Sequence, residues 1–249
     1  MPRFFVSHED IVGSLITVRG DDALHISRSL RLKKGERVTV CDPDSTEYLC
    51  EAVEFYKDHV EFRVLSSQNC ASEPPYDAVL CQALPKGDKM DLIVQKAVET
   101  GVSGIIPFIS EYCISRPDLK TSANKLERWN RIALEAAKQC GRGKVPRVAP
   151  ICTFGELFER LSGDSIILYE NEDRRSLKQA LRDISSSNGG TVSERLNIAV
   201  GSEGGFSDSE IEYARTHGML SAGLGSRILR CETASIAALA MLSYEFEQE

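Results

Sequence analysis

The 249-residue chain holds one tryptophan and four histidines, and it lacks the short motifs of several common chemistries. Neither G-x-G-x-x-G nor G-x-x-x-x-G-K-[ST] occurs, so nicotinamide binding and P-loop chemistry lose support. G-x-S-x-G is absent too, which leaves an α/β-hydrolase serine without its strained turn. His8, His25, His59 and His217 show no partner spacing for a metal or a catalytic triad. The eight cysteines, at positions 41, 50, 70, 81, 113, 140, 152 and 231, form no C-x-x-C pair. No metal is therefore expected. Several of these cysteines sit inside apolar strand-like runs, where a thiol acts as a small buried hydrophobe. Scattered cysteines without a framework suit a reducing cytosol. No apolar run approaches the length of a membrane helix. The first ten residues turn acidic at Glu9 and Asp10, too early for a signal peptide. Basic charge is in deficit, with 30 Lys and Arg against 37 Asp and Glu and a net charge of -7. That balance excludes a protein that coats nucleic acid by bulk charge, but not one with a local basic patch.

The length suffices for one large or two small domains. Residues 3–6, 14–18, 37–41, 48–55 and 59–65 are short apolar and β-branched runs, separated by turn signals such as Lys34-Gly35 and Asp42-Pro43-Asp44. Several short strands in so few residues predict a small β-barrel over residues 1–70. The polar, proline-ended stretch 66–75 reads as an interdomain linker. From residue 74 to 249 the pattern changes. Strands are predicted at 78–84, 104–109, 147–152, 165–169, 196–200 and 220–224. Helical spacing covers residues from Met90 to Val98, 121–140, 176–184, 207–217 and 233 to the C-terminus. Residues 185–193, rich in Ser and Gly, read as a loop. Strand and helix alternate, so this part is an α/β domain with a mainly parallel sheet.

Two junctions organise this second part. One is Val200-Gly201-Ser202-Glu203-Gly204-Gly205-Phe206-Ser207; the other runs from Leu224-Gly225-Ser226-Arg227 through Ile228-Leu229-Arg230-Cys231 to Glu232-Thr233-Ala234. In each, an apolar run stops at a glycine, a short polar loop follows, and a helical pattern begins. A Gly-Gly pair after a strand can be simple punctuation, and Ser207 with Glu210 makes a capping box. Arg230 and Glu232 are more than a turn needs. Glycine also lets a ligand approach bare backbone. Two such junctions suit a backbone-lined pocket at the ends of parallel strands.

This pair of loops resembles the RsmE family of ribosomal RNA methyltransferases, a branch of the SPOUT (α/β-knot) class. The family pattern is roughly G-P-E-G-G-[FL]-S-x-x-E followed by L-G-x-R-[IV]-L-R-x-E-T-A. Ser202 stands here for the usual proline and Cys231 for a common threonine. The segment from Leu84 to Gly101 is similar to L-x-K-x-D-K-M-D-x-I-I-Q-K-A-T-E-L-G, and Glu135 to Pro146 to E-A-A-x-Q-S-x-R-x-x-V-P. Ser110-Glu111-Tyr112-Cys113 departs from S-E-R-S, so any arginine contact made there in relatives is missing. The resemblance implies a trefoil-knot SPOUT methyltransferase domain preceded by a PUA-like RNA-binding barrel. It implies S-adenosylmethionine as cofactor, 16S ribosomal RNA of the small subunit as substrate, and a homodimer with the pocket at its interface, for which the apolar C-terminal helix is a reasonable element. Three loops would grip the cofactor, at Leu168, Tyr169 and Glu170; at Val200, Gly201, Gly204 and Gly205; and at Leu224, Gly225, Ile228, Leu229 and Thr233.

On the RNA side, residues 25–37 read H-I-S-R-S-L-R-L-K-K-G-E-R, with five cations against Glu36. A solvated helix face is the bland reading. A basic excess in an acidic chain favours phosphate contact instead. The RNA-side candidates are Arg3, His25, Arg28, Arg31, Lys33, Lys86, Lys89, Gln139 and Arg142. Lys86 and Lys89 precede or open a helix, where phosphate binding and plain dipole compensation are equally good readings. Arg142 sits where a helix ends and could simply cap it.

The implied reaction is methylation of uracil N3. That nitrogen carries a proton near neutral pH and must lose it to attack. A cation on a uracil carbonyl would stabilise the developing anion, and Arg230 is the candidate. Glu203 would orient Arg230, accept the proton, or merely hold its loop. Two rivals stay open, namely a SPOUT enzyme acting on another base or a ribose 2′-oxygen, and a non-catalytic RNA-binding assembly factor.

Overall fold

The computed structural model describes residues 1–189 and 195–247. Two compact units emerge, one of Met1–Glu73 with Ala137–Val145, the other of Pro74–Ala136 with Pro146–Glu249.

In the first unit the strands are β1 (Arg3–Phe5), β2 (Ile11–Val12), β3 (Leu15–Arg19), β4 (Arg37–Cys41), β5 (Thr46–Phe55) and β6 (His59–Asn69), with a short helix α1 (Gly20–Leu24) after β3. They join in the order β1-β4-β5-β6-β3-β2, antiparallel except where β1 runs parallel to β4. Register shifts in the β5–β6 pair bend the two longest strands, as bulges do. Phe4, Ile16, Ile26, Val38, Val60 and Phe62 are among the buried residues of this unit's core. Two expectations change here. Residues 66–69 are not linker but the end of β6, paired with the first residues of β5. Their side chains are exposed and polar, so hydropathy could not reveal a strand whose backbone does the pairing. The basic run is not one helix face either. A π-helical turn over His25–Leu30 ends at Arg31 in the left-handed region (φ 51), and only Ile26 is buried.

Arg142 anchors the 137–145 segment to this unit. It is 4% exposed, and its Nε and Nη2 donate to Glu73 at 2.9 and 2.8 Å. The N–H groups of Gly143 and Lys144 reach the same carboxylate. Burial pushes Glu73 up, but Arg142 together with the Gly143 and Lys144 N–H groups outweighs it and holds the carboxyl below the usual range. Glu73→Gln removes the charge that faces the buried Arg142 guanidinium, which costs roughly 3 kcal/mol. Because the folded-state pKa is depressed, this contribution is complete above the unfolded glutamate value of about 4.3 and is lost as pH falls through the folded value. Thermal melting at pH 7 should show a lower midpoint for the variant, with the gap to wild type closing in acid.

In the second unit the strands are β7 (Ala78–Ala83), β8 (Gly104–Ile109), β9 (Arg147–Val148), β10 (Cys152–Thr153), β11 (Asp164–Leu168), β12 (Leu196–Val200) and β13 (Leu220–Ala222). The helices are α2 (Lys89–Glu99), α3 (Leu119–Cys140), which runs on into the first unit's segment, α4 (Phe154–Phe158), α5 (Leu177–Ser187), α6 (Asp208–Thr216) and α7 (Cys231–Phe246). The sheet runs β10-β8-β7-β12-β11-β13 with β9 beside β8, and every pairing among the described residues is parallel. Every residue of β7 and β12 is buried, as expected of central parallel strands covered on both faces. The predicted strand at 147–152 is really two short pieces, β9 and β10. Pro150 lies between them and has no N–H to give a ladder. Ser185–Ser187 closes α5 rather than opening a loop, and the rest of that predicted loop from 190 onward lies outside the described residues. Strand β12 enters late, between β7 and β11, so the chain leaves a gap in the sheet and fills it afterwards. Helix α7 then packs on β12 and along α2. The order brings the C-terminal ends of β11, β12 and β13 side by side.

Candidate active site

A cleft of about 530 Å³ opens at those three strand ends. Its walls are the loops after β11 (Leu168 to Ser176), after β12 (Val200 to Gly205) and after β13 (Gly223 through Leu229, with Cys231 and Ala234 of α7). The position follows from topology, because loops leaving neighbouring parallel strands diverge and expose a crevice. The loop after β12 closes on itself, with the Gly205 N–H donating to the Ser202 carbonyl at 3.0 Å. Gly205 needs its positive φ of 66° for that turn, and the Glu170 side chain lies against it. Gly201 sits so near the returning backbone that a Cβ there would lie 3.0 Å from the Gly205 Cα.

Every residue expected to hold a cofactor lines this cleft except Gly204 and Thr233. Gly204 faces outward, where a Cβ would meet the Tyr112 side chain at 2.7 Å, and Thr233 is exposed on α7. The lining also includes residues the sequence did not single out, among them Asn171, Arg175 and Gly223, while Ser202, Ser226 and Arg227 lie within the two junctions it did. Asn171 and Arg175 come from the loop after β11, and nothing in the identity of these residues marks them as lining.

The rim is electrostatic. Lys89 Nζ lies 2.9 Å from Glu203 and 3.2 Å from Glu232. Glu203 also accepts the Lys86 N–H at 3.2 Å. Burial pushes Glu203 up, yet Lys89 and the Lys86 N–H leave it below the usual carboxylate range, and Glu203 in turn raises Lys89. Burial, followed by the Glu232 hydrogen bond, pushes the Cys231 thiol up to about 12, so it stays protonated. Glu203 is thus paired with Lys89 and not with Arg230. Arg230 is the exposed N-cap of α7, in extended backbone (φ −65, ψ 151), and has no side-chain partner among the described residues. Leu229 and Cys231 on either side of it both line the cleft.

Of the RNA-side candidates, His25, Arg28, Arg31, Lys33, Lys86 and Gln139 are exposed. Arg3 is not free, since it binds Glu47 at 2.7 Å and the Arg142 carbonyl at 3.2 Å. Arg142 is consumed by Glu73, and Lys89 by the rim. Among the described residues no cluster of His, Cys, Asp or Glu has the geometry of a metal site, and no helix is long and apolar enough to cross a membrane. All eight cysteines are free thiols.

This strand order, with three loops gathered on one cleft, is the α/β-knot (SPOUT) methyltransferase fold joined to a PUA-like barrel. The family described as "RNA methyltransferase domain" matches residues 72–243, and "RNA methyltransferase PUA domain" matches residues 18–65. The chain is 35% identical to ribosomal RNA small subunit methyltransferase E of Bacillus subtilis, over 93% of this chain and 90% of that one. It superposes on the same-named protein of Neisseria gonorrhoeae, solved bound to S-adenosyl methionine, with a TM-score of 0.83 and 31% identity over 98% and 97% of the two chains. A Legionella pneumophila methyltransferase solved with bound SAM gives 0.83 and 30%, over 97% and 96%. The chain belongs to the ribosomal RNA small subunit methyltransferase E family.

Proposed function

We propose that this protein methylates N3 of a uridine in the 16S ribosomal RNA of the small subunit, with S-adenosylmethionine held in the three-loop cleft. The observation that carries the reading is the cleft itself, walled by backbone where a side chain at Gly201 would run into the Gly205 backbone. Its size suits a nucleoside-sized ligand. The cofactor brings a methyl group already activated on a sulfonium, so the chain need supply only binding, alignment and charge. Leu168, Val200 and Leu229 give the cleft apolar walls, and Glu170 and Glu203 give it acidic edges. Arg230, beside the cleft and without a side-chain partner among the described residues, is the cation for a uracil carbonyl. Glu203, held below its usual range by Lys89, is a weak base and serves to hold its loop. The deciding experiment incubates the protein with tritiated S-adenosylmethionine and undermethylated small subunits, then digests the RNA and identifies the labelled nucleoside. Label in 3-methyluridine is expected; label in a ribose or another base overturns the assignment.

The domain roles follow the same reading, with residues 1–70 presenting RNA and 74–249 carrying out transfer in the cytoplasm. Arg28→Glu with Arg31→Glu should weaken RNA binding and flatten the slope of log K against log salt by up to about 2, because two fewer cations release counterions. Cofactor affinity should not move. Fluorescence anisotropy with labelled RNA over a salt series gives both quantities, and a wild-type slope would reduce the patch to a solvated face. We also infer a homodimer through the outer face of α7, where Met241 and Tyr244 are 45% and 86% exposed and Ile228, just before the helix, is 86% exposed. An apolar patch of that kind marks an interface, and sedimentation of Tyr244→Glu checks it.

A further inference from the structure

Gln82 is the last residue but one of β7, where all six residues are buried, and it is itself 0% exposed. An apolar residue would fill that place without desolvating an amide, so the amide is retained for what it binds. Its Nε2 donates to the Ala83 carbonyl at 2.9 Å and to the Gly201 carbonyl at 3.2 Å, while Oε1 accepts from the Ser235 hydroxyl. Two carbonyls on one side can only accept, which fixes the orientation of the amide. The single Ser235 proton lies between Gln82 and the Cys231 carbonyl, the latter at 3.0 Å.

These contacts join two walls of the cleft from beneath. Gly201 opens the loop after β12, and Cys231 with Ser235 forms the first turn of α7, which ends the third loop. Gly201 and Cys231 both line the cleft; Gln82 does not. We propose that Gln82 is a positioning residue for the cofactor. Its amide sets the Gly201 carbonyl and, through Ser235, ties the start of α7 to the same point, so that the two walls stand at a fixed separation before ligand arrives. The proposal rests on the reading that the cleft takes S-adenosylmethionine. Preorganisation of this sort removes the cost of ordering loops at the moment of binding.

The test is calorimetric titration of S-adenosylmethionine into wild type, Gln82→Glu and Ser235→Ala across pH 5 to 9, with thermal melts of the cofactor-free proteins. A protonated glutamic acid keeps the shape of glutamine and can donate to the Gly201 carbonyl. Its carboxylate cannot, and it faces two carbonyls. Burial raises the pKa of such a carboxyl, which brings the change into the accessible range. Gln82→Glu is expected to bind like wild type at the acid end and to lose at least about tenfold as the carboxyl ionises, against a smaller drift for wild type. Ser235→Ala should lose severalfold at every pH. A merely structural glutamine would shift the melts and leave the pH profile of binding parallel to wild type. Parallel profiles, or wild-type affinity in Ser235→Ala, overturn the proposal. Should Gln82→Glu fail to fold, Ser235→Ala, which removes only a hydroxyl, decides by itself. Absence of binding by wild type would overturn the cofactor reading and the proposal with it, whereas a wild type that binds beside variants that bind equally well overturns the proposal alone.

Discussion

Arg230→Ala is expected to slow single-turnover methylation by roughly 10²-fold or more, comparable to removing one oxyanion-hole donor, while affinity for S-adenosylmethionine stays within a few-fold of wild type. The separation of the two effects comes from the rim. The competing role for Arg230 is to tie its loop to Glu203 or Glu232. Lys89 already fills that role, at 2.9 and 3.2 Å from the two carboxylates. Arg230 is left exposed between two cleft-lining residues, with its charge unspent. A guanidinium stays ionised at any working pH and can hydrogen-bond a carbonyl in fixed geometry. Arg230→Lys keeps charge without the fork and should fall between wild type and alanine. Hydroxide can prepare the N3 anion directly, so the alanine variant should regain rate as pH rises. Single-turnover rates across pH, at saturating cofactor, measure this. A wild-type rate would end the catalytic assignment. A matching loss of cofactor affinity would move Arg230 to a loop-holding role.

Lys89 shows where reading the chain alone stops. Its place before a helix suited phosphate, and the identity of its two acidic partners is a matter of tertiary structure. Glu203 lies in a loop after β12 and Glu232 in the first turn of α7, both far from Lys89 in sequence. The alternation of strand and helix, and the two glycine loops, were legible because periodicity and turn chemistry are local. The order β7-β12-β11 was not, since nothing local says that β12 enters a gap left earlier. That order makes the pocket, so only the resemblance could anticipate it. Residues 66–69 were missed because polar side chains hid a strand held by backbone pairing. Gln82 was different. A glutamine inside the run Ala78-Val79-Leu80-Cys81-Gln82-Ala83 is a visible conflict between a buried strand and a polar side chain. Such conflicts mark places where packing alone does not set the residue.

The glycine loop carries the other large effect. Gly201→Val is expected to weaken S-adenosylmethionine binding by about 10²-fold or more, equivalent to about 2.7 kcal/mol. Three glycines of the same loop differ in what a side chain would meet. At Gly204 a Cβ meets the Tyr112 Cβ at 2.7 Å, an atom fixed to the backbone, but the clash falls on the outer surface of the loop and away from the cleft lining. That position, which the sequence pattern alone would put against ligand, is therefore the milder test. At Gly205 the obstacle is the Glu170 carboxylate, the far end of a flexible side chain that can swing aside, although the positive φ of 66° adds strain for any other residue. At Gly201 the Cβ would lie 3.0 Å from both the Cα and the carbonyl carbon of Gly205. Backbone cannot swing. The turn closed by the Gly205 N–H on the Ser202 carbonyl has to open, and the wall of the cleft moves with it. The sheet beneath is held by the pairing of β12 with β7 and β11, so the fold should survive the change. Calorimetry should show Gly201→Val nearly unable to bind, Gly204→Val weakened much less, and both with melting curves as cooperative as wild type. The reverse ranking would put ligand on the Tyr112 side of the loop and take the cofactor out of the cleft.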